Sequence, residues 1–265
     1  MIYHKTEEEI EFIRESSLLV SKALAEVARV IKPGVTSLEL DKVAETVIRD
    51  HGGEPAFKGY RGFPNTLCVS PNAQVVHGIP NNEPFQEGDI VSVDCGVLKN
   101  GFYGDSAFTF AIGEVPADVA LLLRVTRESL DKGIEKAVAG NRLGDIGYAV
   151  QSHAEANGFT VVRELVGHGI GKNLHEEPEV PNYGRRGNGV KLSEGMVIAI
   201  EPMVNQGKRS IREHADGWTI TTTDGKPSAH FEHTVAIGKG KAEVLSTFAW
   251  IDEVIENKTE EIKNG

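Results

Sequence analysis

Cysteine is nearly absent from this chain. Only Cys68 and Cys95 occur among 265 residues, and neither sits in a C-x-x-C pair. A disulfide framework or a structural zinc site is therefore not expected, and a reducing, cytoplasmic setting fits better. Long apolar runs are missing too; stretches such as Ala120–Leu123 are far too short to span a bilayer. The leading residues MIYHKTEEEIEF lack a basic stretch followed by an apolar core, so no secretory signal is expected. Positive charge is in deficit, with 28 Lys and Arg against 39 Asp and Glu and a formal net charge of −11. That balance argues against nucleic-acid affinity, which needs a basic surface. Phosphate and dinucleotide loops are also lacking: the glycines of Gly167-His168-Gly169-Ile170-Gly171 have no Gly-Lys-Ser/Thr ending, and no G-x-G-x-x-G fits.

What is present is an ordinary globular composition, 40% hydrophobic and 25% charged. Its organising stretch is Glu87–Phe110. Ile90, Val91 and Val93 favour a half-buried strand, and Asn100-Gly101 predicts a two-residue hairpin turn whose residues accept positive φ. Counting outward from that turn pairs Lys99 with Phe102 and Gly96 with Asp105. Asp94 then shares a face with Asp105 as its diagonal neighbour, about 7–8 Å away at Cα. Two carboxylates so aimed repel one another unless a cation lies between them or one takes a proton. A bulge would flip the parity, so the reading depends on a regular register.

The second half of the chain repeats the first. EGDIVSVDCGV (87–97) aligns with EGMVIAIEPMV (194–204), which places Glu201 where Asp94 stood, 107 residues earlier. Gly34 and Gly140, and Gly52 and Gly158, match at an offset of 106. No 20–50-residue period is visible, so this is one duplication and not a solenoid. Two such halves predict one central site lined by carboxylates from both.

Thr6-x-x-Glu9 and Thr36-x-x-Glu39 read as capping boxes that open two scaffold helices, closed by Pro33-Gly34 and by Gly52-Gly53. Pro116–Ala139 and Leu143–Asn157 read as a second helix pair. Between Glu54 and Asn65, Phe57, Tyr60 and Phe63 belong either to a surface loop or to the apolar wall of a pocket; the residues alone do not choose. His77, in Val75–Pro80, is equally open between a structural and a catalytic role. Thr160–Val166 predicts a strand leading into His168. His175 lies seven residues further on, too far for one helical face, and is expected to act at a different point of a site. Phe231–Val235 reads as an apolar strand carrying Glu232. Asp252–Gly265 is either a surface helix or a fraying tail, with partial disorder expected at its very end.

Asp94, Asp105, His168, Glu201 and Glu232 form the candidate constellation. Four carboxylates and one imidazole suit hard to borderline divalent ions: Mn, Fe(II), Co or Zn. With bridging carboxylates, two such ions about 3.5–4 Å apart share a water.

At these residues the chain resembles type I methionine aminopeptidase, over roughly its first 245 residues. The matching motifs are HGIP at His77, D-x₁₀-D at Asp94 and Asp105, GHGIG and HEEP at His168 and His175, IEPM at Glu201, and FEHT at Glu232. The resemblance implies a duplicated, pseudo-twofold α/β "pita-bread" fold with a central antiparallel sheet and outer helices. It implies one catalytic domain over 1–250, with halves 1–115 and 116–250, and a C-terminal tail from 251 to 265. By resemblance, Asp94 and Asp105 bind one metal and Asp105, His168 and Glu201 the other, with Asp94 and Glu232 helping to bridge. A metal-bridging hydroxide then attacks the carbonyl after an N-terminal methionine whose neighbour is small. Glu201 resembles the proton shuttle, His175 the oxyanion stabiliser and His77 a contact to the scissile peptide, while Tyr60, Phe63, Cys68 and Trp218 form the methionine pocket. Gly96 stands where the family often has threonine or serine, and Phe57 and Leu174 where cysteine and phenylalanine are common. The implied partners are N-termini of nascent chains, met transiently at the ribosome by a monomer, with no nucleic acid or membrane. Two rivals share the fold: an Xaa-Pro peptidase, which normally has an additional N-terminal domain, and a non-enzymatic binding module, which usually loses ligands.

Overall fold

The computed structural model describes residues 1–264, with side chains through 258 and at 260. In the first half, helices α1 (Glu7–Val30) and α2 (Ser37–Asp50) flank strands β1 (Glu54–Pro55), β2 (Leu67–Pro71), β3 (Gln74–Val76), β4 (Ile90–Lys99) and β5 (Phe102–Ala111). The second half opens with α3 (Ala117–Ile134) and α4 (Leu143–Ala156). It continues through β6 (Thr160–Val161), β7 (Gly167–Gly169), β8 (Glu176–Val180), β9 (Val197–Ile200) and β10 (Met203–Asn205). Strands β11 (Ile211–Glu213), β12 (Ile220–Thr222), β13 (Ser228–His230), β14 (His233–Ala236) and β15 (Glu243–Val244) follow, and α5 (Ala249–Asn264) comes last.

Local chemistry accounts for the helix pairs. Both predicted capping boxes form: the Thr6 and Thr36 hydroxyls accept from the N–H groups of Glu9 and Glu39, whose carboxylates accept from the threonine N–H groups in return. Helices α2 and α4 start 106 residues apart, at 37 and 143, and end 106 apart, at 50 and 156. Arg142 takes the capping position that Thr36 holds in the first half, with Asp145 accepting from its N–H at 2.8 Å. The repeat read from the sequence is thus a repeat of structure.

The hairpin has the register counted from its turn, with Lys99 opposite Phe102, Gly96 opposite Asp105 and no bulge between. Asn100 and Gly101 have φ of 52° and 77°, as a primed two-residue turn needs. Strands β1 and β2 add to β4, while β15-β14-β9-β7-β8 forms the sheet of the second half. Hydroxyls sew the two halves together along β5. Ser106 donates to the Glu232 carbonyl at 2.6 Å, Thr234 to the Asp105 carbonyl at 2.8 Å, and Thr109 to the His230 carbonyl at 2.7 Å. The Glu232 N–H donates back to the Ala107 carbonyl at 3.0 Å. This seam buries polar groups only because each is paired. Helix α1 lays Leu19, Val20, Leu24 and Val27 into the main core beside Val91, Val93 and Val97.

Several expectations change in detail. The strand expected over Thr160–Val166 is confined to Thr160–Val161. Glu232 lies in the break between β13 and β14 and not within a strand, and Glu201 likewise follows the end of β9. Both acids nonetheless line the same cavity as Asp94 and Asp105. The C-terminal segment is a helix from Ala249, with Ile251 and Val254 buried and Asp252 paired with Arg127 at 2.6 Å. The disorder expected at the very end of the chain lies outside the described residues. No described helix is long and apolar enough to cross a membrane.

Candidate metal centre

Four elements aim acidic groups into one cavity of about 140 Å³. Strand β4 supplies Asp94, β5 supplies Asp105, the end of β9 supplies Glu201, and the β13–β14 break supplies Glu232. His168 comes from the middle of β7, where the backbones of Glu177 and Ala199 press so closely on Gly169 and Gly167 that neither position has room for a Cβ. Ligand atoms of Asp105, His168 and Glu232 all lie within 4.8 Å of one another. His168 Nε2 stands 3.9 Å from Asp105 and 3.8 Å from Glu201.

Burial raises every one of these carboxyl pKa values. Asp94 is pushed up to about 7 by loss of water, against the lowering effect of its contacts with Asp105 and the Cys95 N–H. Asp105 is held well above the carboxylate range by burial first, then by the charges of Glu232 and Asp94. Burial also raises Glu201, with Asp94 and Asp105 adding to it, and Glu232, with Glu201 and Asp94 adding to it. Burial lowers His168 to about 4, so its ring is neutral at neutral pH. Its Nδ1 lies 2.8 Å from the Gly169 carbonyl, which can only accept, so the proton is on Nδ1 and the Nε2 lone pair faces the carboxylates.

The rest of the cavity is apolar or aromatic: Phe57, Tyr60, Phe63, Cys68, Leu174 and Trp218, with His77 and His175 beside them. Of the Glu54–Asn65 segment, Phe57, Tyr60 and Phe63 line this cavity, and its last residue is anchored by Asp41. The buried Asp41 carboxylate accepts from Asn65 Nδ2 and from the Thr66 and Leu67 N–H groups at 2.8–2.9 Å. His77 meets the edge of Trp218, with ring centroids 6.4 Å apart. His175 stacks on Tyr60 at 5.3 Å and lies only 4.2 Å from His168, centroid to centroid, because the β7–β8 pairing folds the seven-residue separation back on itself. Cys68 is a buried thiol whose pKa burial and the Asp94 charge push well up, so it is no nucleophile.

Residues 11–239 match the model of metallopeptidase family M24. The chain is 51% identical over 246 residues to a methionine aminopeptidase of Clostridium perfringens, covering 93% of this chain and 99% of that one. The chain belongs to the methionine aminopeptidases of metallopeptidase family M24. The methionine aminopeptidase structure from Thermotoga maritima superposes with a TM-score of 0.92 at 46% identity, covering 93% of this chain and all of that one. A prolidase from Pyrococcus furiosus shares the fold alone, with a TM-score of 0.76 at 23% identity and 65% of its chain covered.

Members of this metallopeptidase family use divalent metal ions, and the residues present fit them. Asp94 Oδ1, Asp105 Oδ1 and Glu232 Oε1 are buried without a hydrogen-bond partner. Orphaned carboxylate oxygens are costly unless a cation satisfies them. The sequence reading missed His230. Both of its ring nitrogens are buried and unpartnered, and Nε2 lies 3.8 Å from Glu201 and 3.9 Å from Glu232. The sequence held no local signal for it, because His230 ends β13 and Glu232 lies in the break after it.

Removing the metal from this aminopeptidase exposes a pH signature. Carboxyls whose folded pKa is raised contribute stability that is present below their unfolded values and lost as pH rises through the folded ones, Asp94's being about 7. The site histidines have lowered folded pKa values, so they make stability rise with pH until their unfolded forms lose the proton, and only above about pH 7.5 are they neutral in both states and without slope. The Tm of chelator-treated protein is therefore expected to fall between about pH 7.5 and 8.5, through the acids held higher than Asp94, by about 2–4 °C per pH unit if one proton is involved. Saturating Mn(II) should flatten the trend. A flat curve for the metal-free protein would show that the acids are not the strained element.

Proposed function

We propose that this enzyme removes the N-terminal methionine from polypeptides whose second residue is small, and that Asp94, Asp105, His168, Glu201 and Glu232 hold two divalent ions for the purpose. The observation that carries this reading is one cavity with metal-type donors at one end and an apolar, sulfur-containing wall at the other. Bound divalent ions would supply a water whose pKa falls to about 7, hence a hydroxide nucleophile at neutral pH, and a seat for the substrate's free α-amine.

The chain's own groups do the rest. Glu201, its pKa raised and one side open to the cavity, takes the proton of the water and returns it to the leaving amine. His175 Nδ1 lies 3.0 Å from the Tyr60 hydroxyl. With that hydroxyl donating, the imidazole proton sits on Nε2, where it can donate to the carbonyl oxygen as negative charge develops. Burial, with His168 and Arg61 adding to it, holds the His175 pKa down, which keeps the ring neutral in this role. His77, also lowered by burial, faces the leaving nitrogen from the Trp218 side. Tyr60, Phe63, Cys68 and Trp218 pack an unbranched thioether, which suits soft, polarizable contacts. We take the Tyr60–His175 stack and the His77–Trp218 contact as the groups that limit the room for the second residue. Substrates of this description are the N-termini of nascent chains, met transiently at the ribosome by a cytoplasmic monomer.

With Mn(II)-loaded enzyme, Met-Ala-Ser should be cleaved far faster than Met-Leu-Ser, and N-acetyl-Met-Ala-Ser should be inert for want of a free amine. A preference for Ala-Pro or Leu-Pro would replace this reading with an Xaa-Pro peptidase. Metal-loaded protein that cuts no peptide would leave a binding module.

A further inference from the structure

Phe57 reaches the cavity from the edge of the hairpin sheet. Strand β1 pairs Glu54 with Leu98 and Pro55 with Val97, and the Ala56 N–H donates to the Gly96 carbonyl at 2.9 Å. The chain therefore arrives at Phe57 alongside Gly96. Gly96 lies opposite Asp105 and two residues beyond Asp94, so a side chain there would project on the face that carries both carboxylates. A Cβ at Gly96 would stand 2.6 Å from Cε1 and 3.1 Å from Cδ1 of Phe57, and 3.0 Å from the Ala56 Cβ. Carbon atoms ordinarily rest about 3.5–4.0 Å apart. The phenyl ring fills the room that a side chain at 96 would need. Gly96 is not among the glycines with positive φ, so its backbone does not require glycine; the ring does.

That ring is buried at 8% exposure, packs in one cluster with Phe63, Cys68 and Leu174, and lines the cavity that also contains Asp94 and Asp105. We propose that Phe57 and Gly96 act as one specificity unit, in which the glycine seats the ring and the seated ring sets the room left for the substrate's first side chain. This rests on reading the cavity as the site for that side chain. It follows that removing the ring widens the site, that a methyl at 96 drives the ring into it, and that the two changes compensate because they compete for the same space.

The test compares kcat/KM for Met-Ala-Ser and Phe-Ala-Ser on metal-loaded wild type, Phe57→Ala, Gly96→Ala and the double variant. Phe57→Ala should raise the Phe-to-Met ratio by on the order of 10-fold or more, within the roughly 10–200-fold that a shape change in an apolar pocket commands. Gly96→Ala should lower kcat/KM for Met-Ala-Ser by a comparable factor, mainly through KM. Adding Phe57→Ala should recover most of that loss. A ratio of two substrates on one sample is independent of folded fraction and metal content, so a merely structural role would leave it unmoved. If Gly96→Ala does not fold, the ratio for Phe57→Ala and for Phe57→Leu still decides. An active wild type with an unchanged ratio in Phe57→Ala, or a double variant whose loss is the product of the single ones, overturns this proposal alone. Wild-type protein inert toward Met-Ala-Ser would remove the underlying function and this proposal with it.

Discussion

Asp105→Asn is expected to lower kcat for Met-Ala-Ser by at least about 10³-fold, because it removes several kcal/mol of metal-derived stabilisation and each 1.36 kcal/mol is tenfold. Asp105 is the central member of the cluster, buried at 4% exposure with Oδ1 unpartnered, and it touches Asp94, Glu232 and His168 from a rigid strand. Asparagine keeps its shape and removes its charge. Metal content after gel filtration should fall at the same time. The metal-free variant should be at least as stable as metal-free wild type, since the charges of Glu232 and Asp94 no longer face a third carboxylate. Lower activity and higher metal-free stability together are hard to obtain from general damage. Chelator treatment of wild type should give the same loss of activity, reversed by Mn(II), Fe(II) or Co(II). Full activity in protein shown to be free of metal would sink the mechanism.

The second large effect should come from His175→Ala, with kcat reduced on the order of 10²–10³-fold and bound metal unchanged. His175 sits next to His168 but presents its Nδ1 to Tyr60 and not to the carboxylates. Its contribution is therefore to the charge that develops on the substrate and not to holding an ion. Tyr60→Phe should cost less, about 10–100-fold, because it removes only the group that fixes the imidazole tautomer. Loss of metal from the alanine variant would place His175 among the ligands and require the site to be redrawn.

What the amino-acid sequence determined by itself is what short-range rules decide. The Asn100-Gly101 turn, with both residues at positive φ, set a register that placed Asp94 and Asp105 on one face. Thr6-x-x-Glu9 and Thr36-x-x-Glu39 marked helix starts because a hydroxyl and a carboxylate three residues apart satisfy each other's N–H groups. The repeat of Gly34, Gly52 and the acidic strand 106 to 107 residues later carried the pseudo-twofold plan, which recurs in the matching helices α2 and α4. Motif order pointed to the family. Tertiary structure alone decided how far the two acidic strands converge, since the Ser106, Thr109 and Thr234 hydroxyls that join them act between residues more than 100 positions apart. It also brought His230 beside Glu201 and Glu232, laid Phe57 over Gly96, and anchored the last residue of the Glu54–Asn65 segment on Asp41. Hydrogen-bond and steric rules along a chain reach only a few residues, whereas side-chain packing between distant segments fixes which groups share a desolvated cavity, and the chemistry of this protein depends on that cavity.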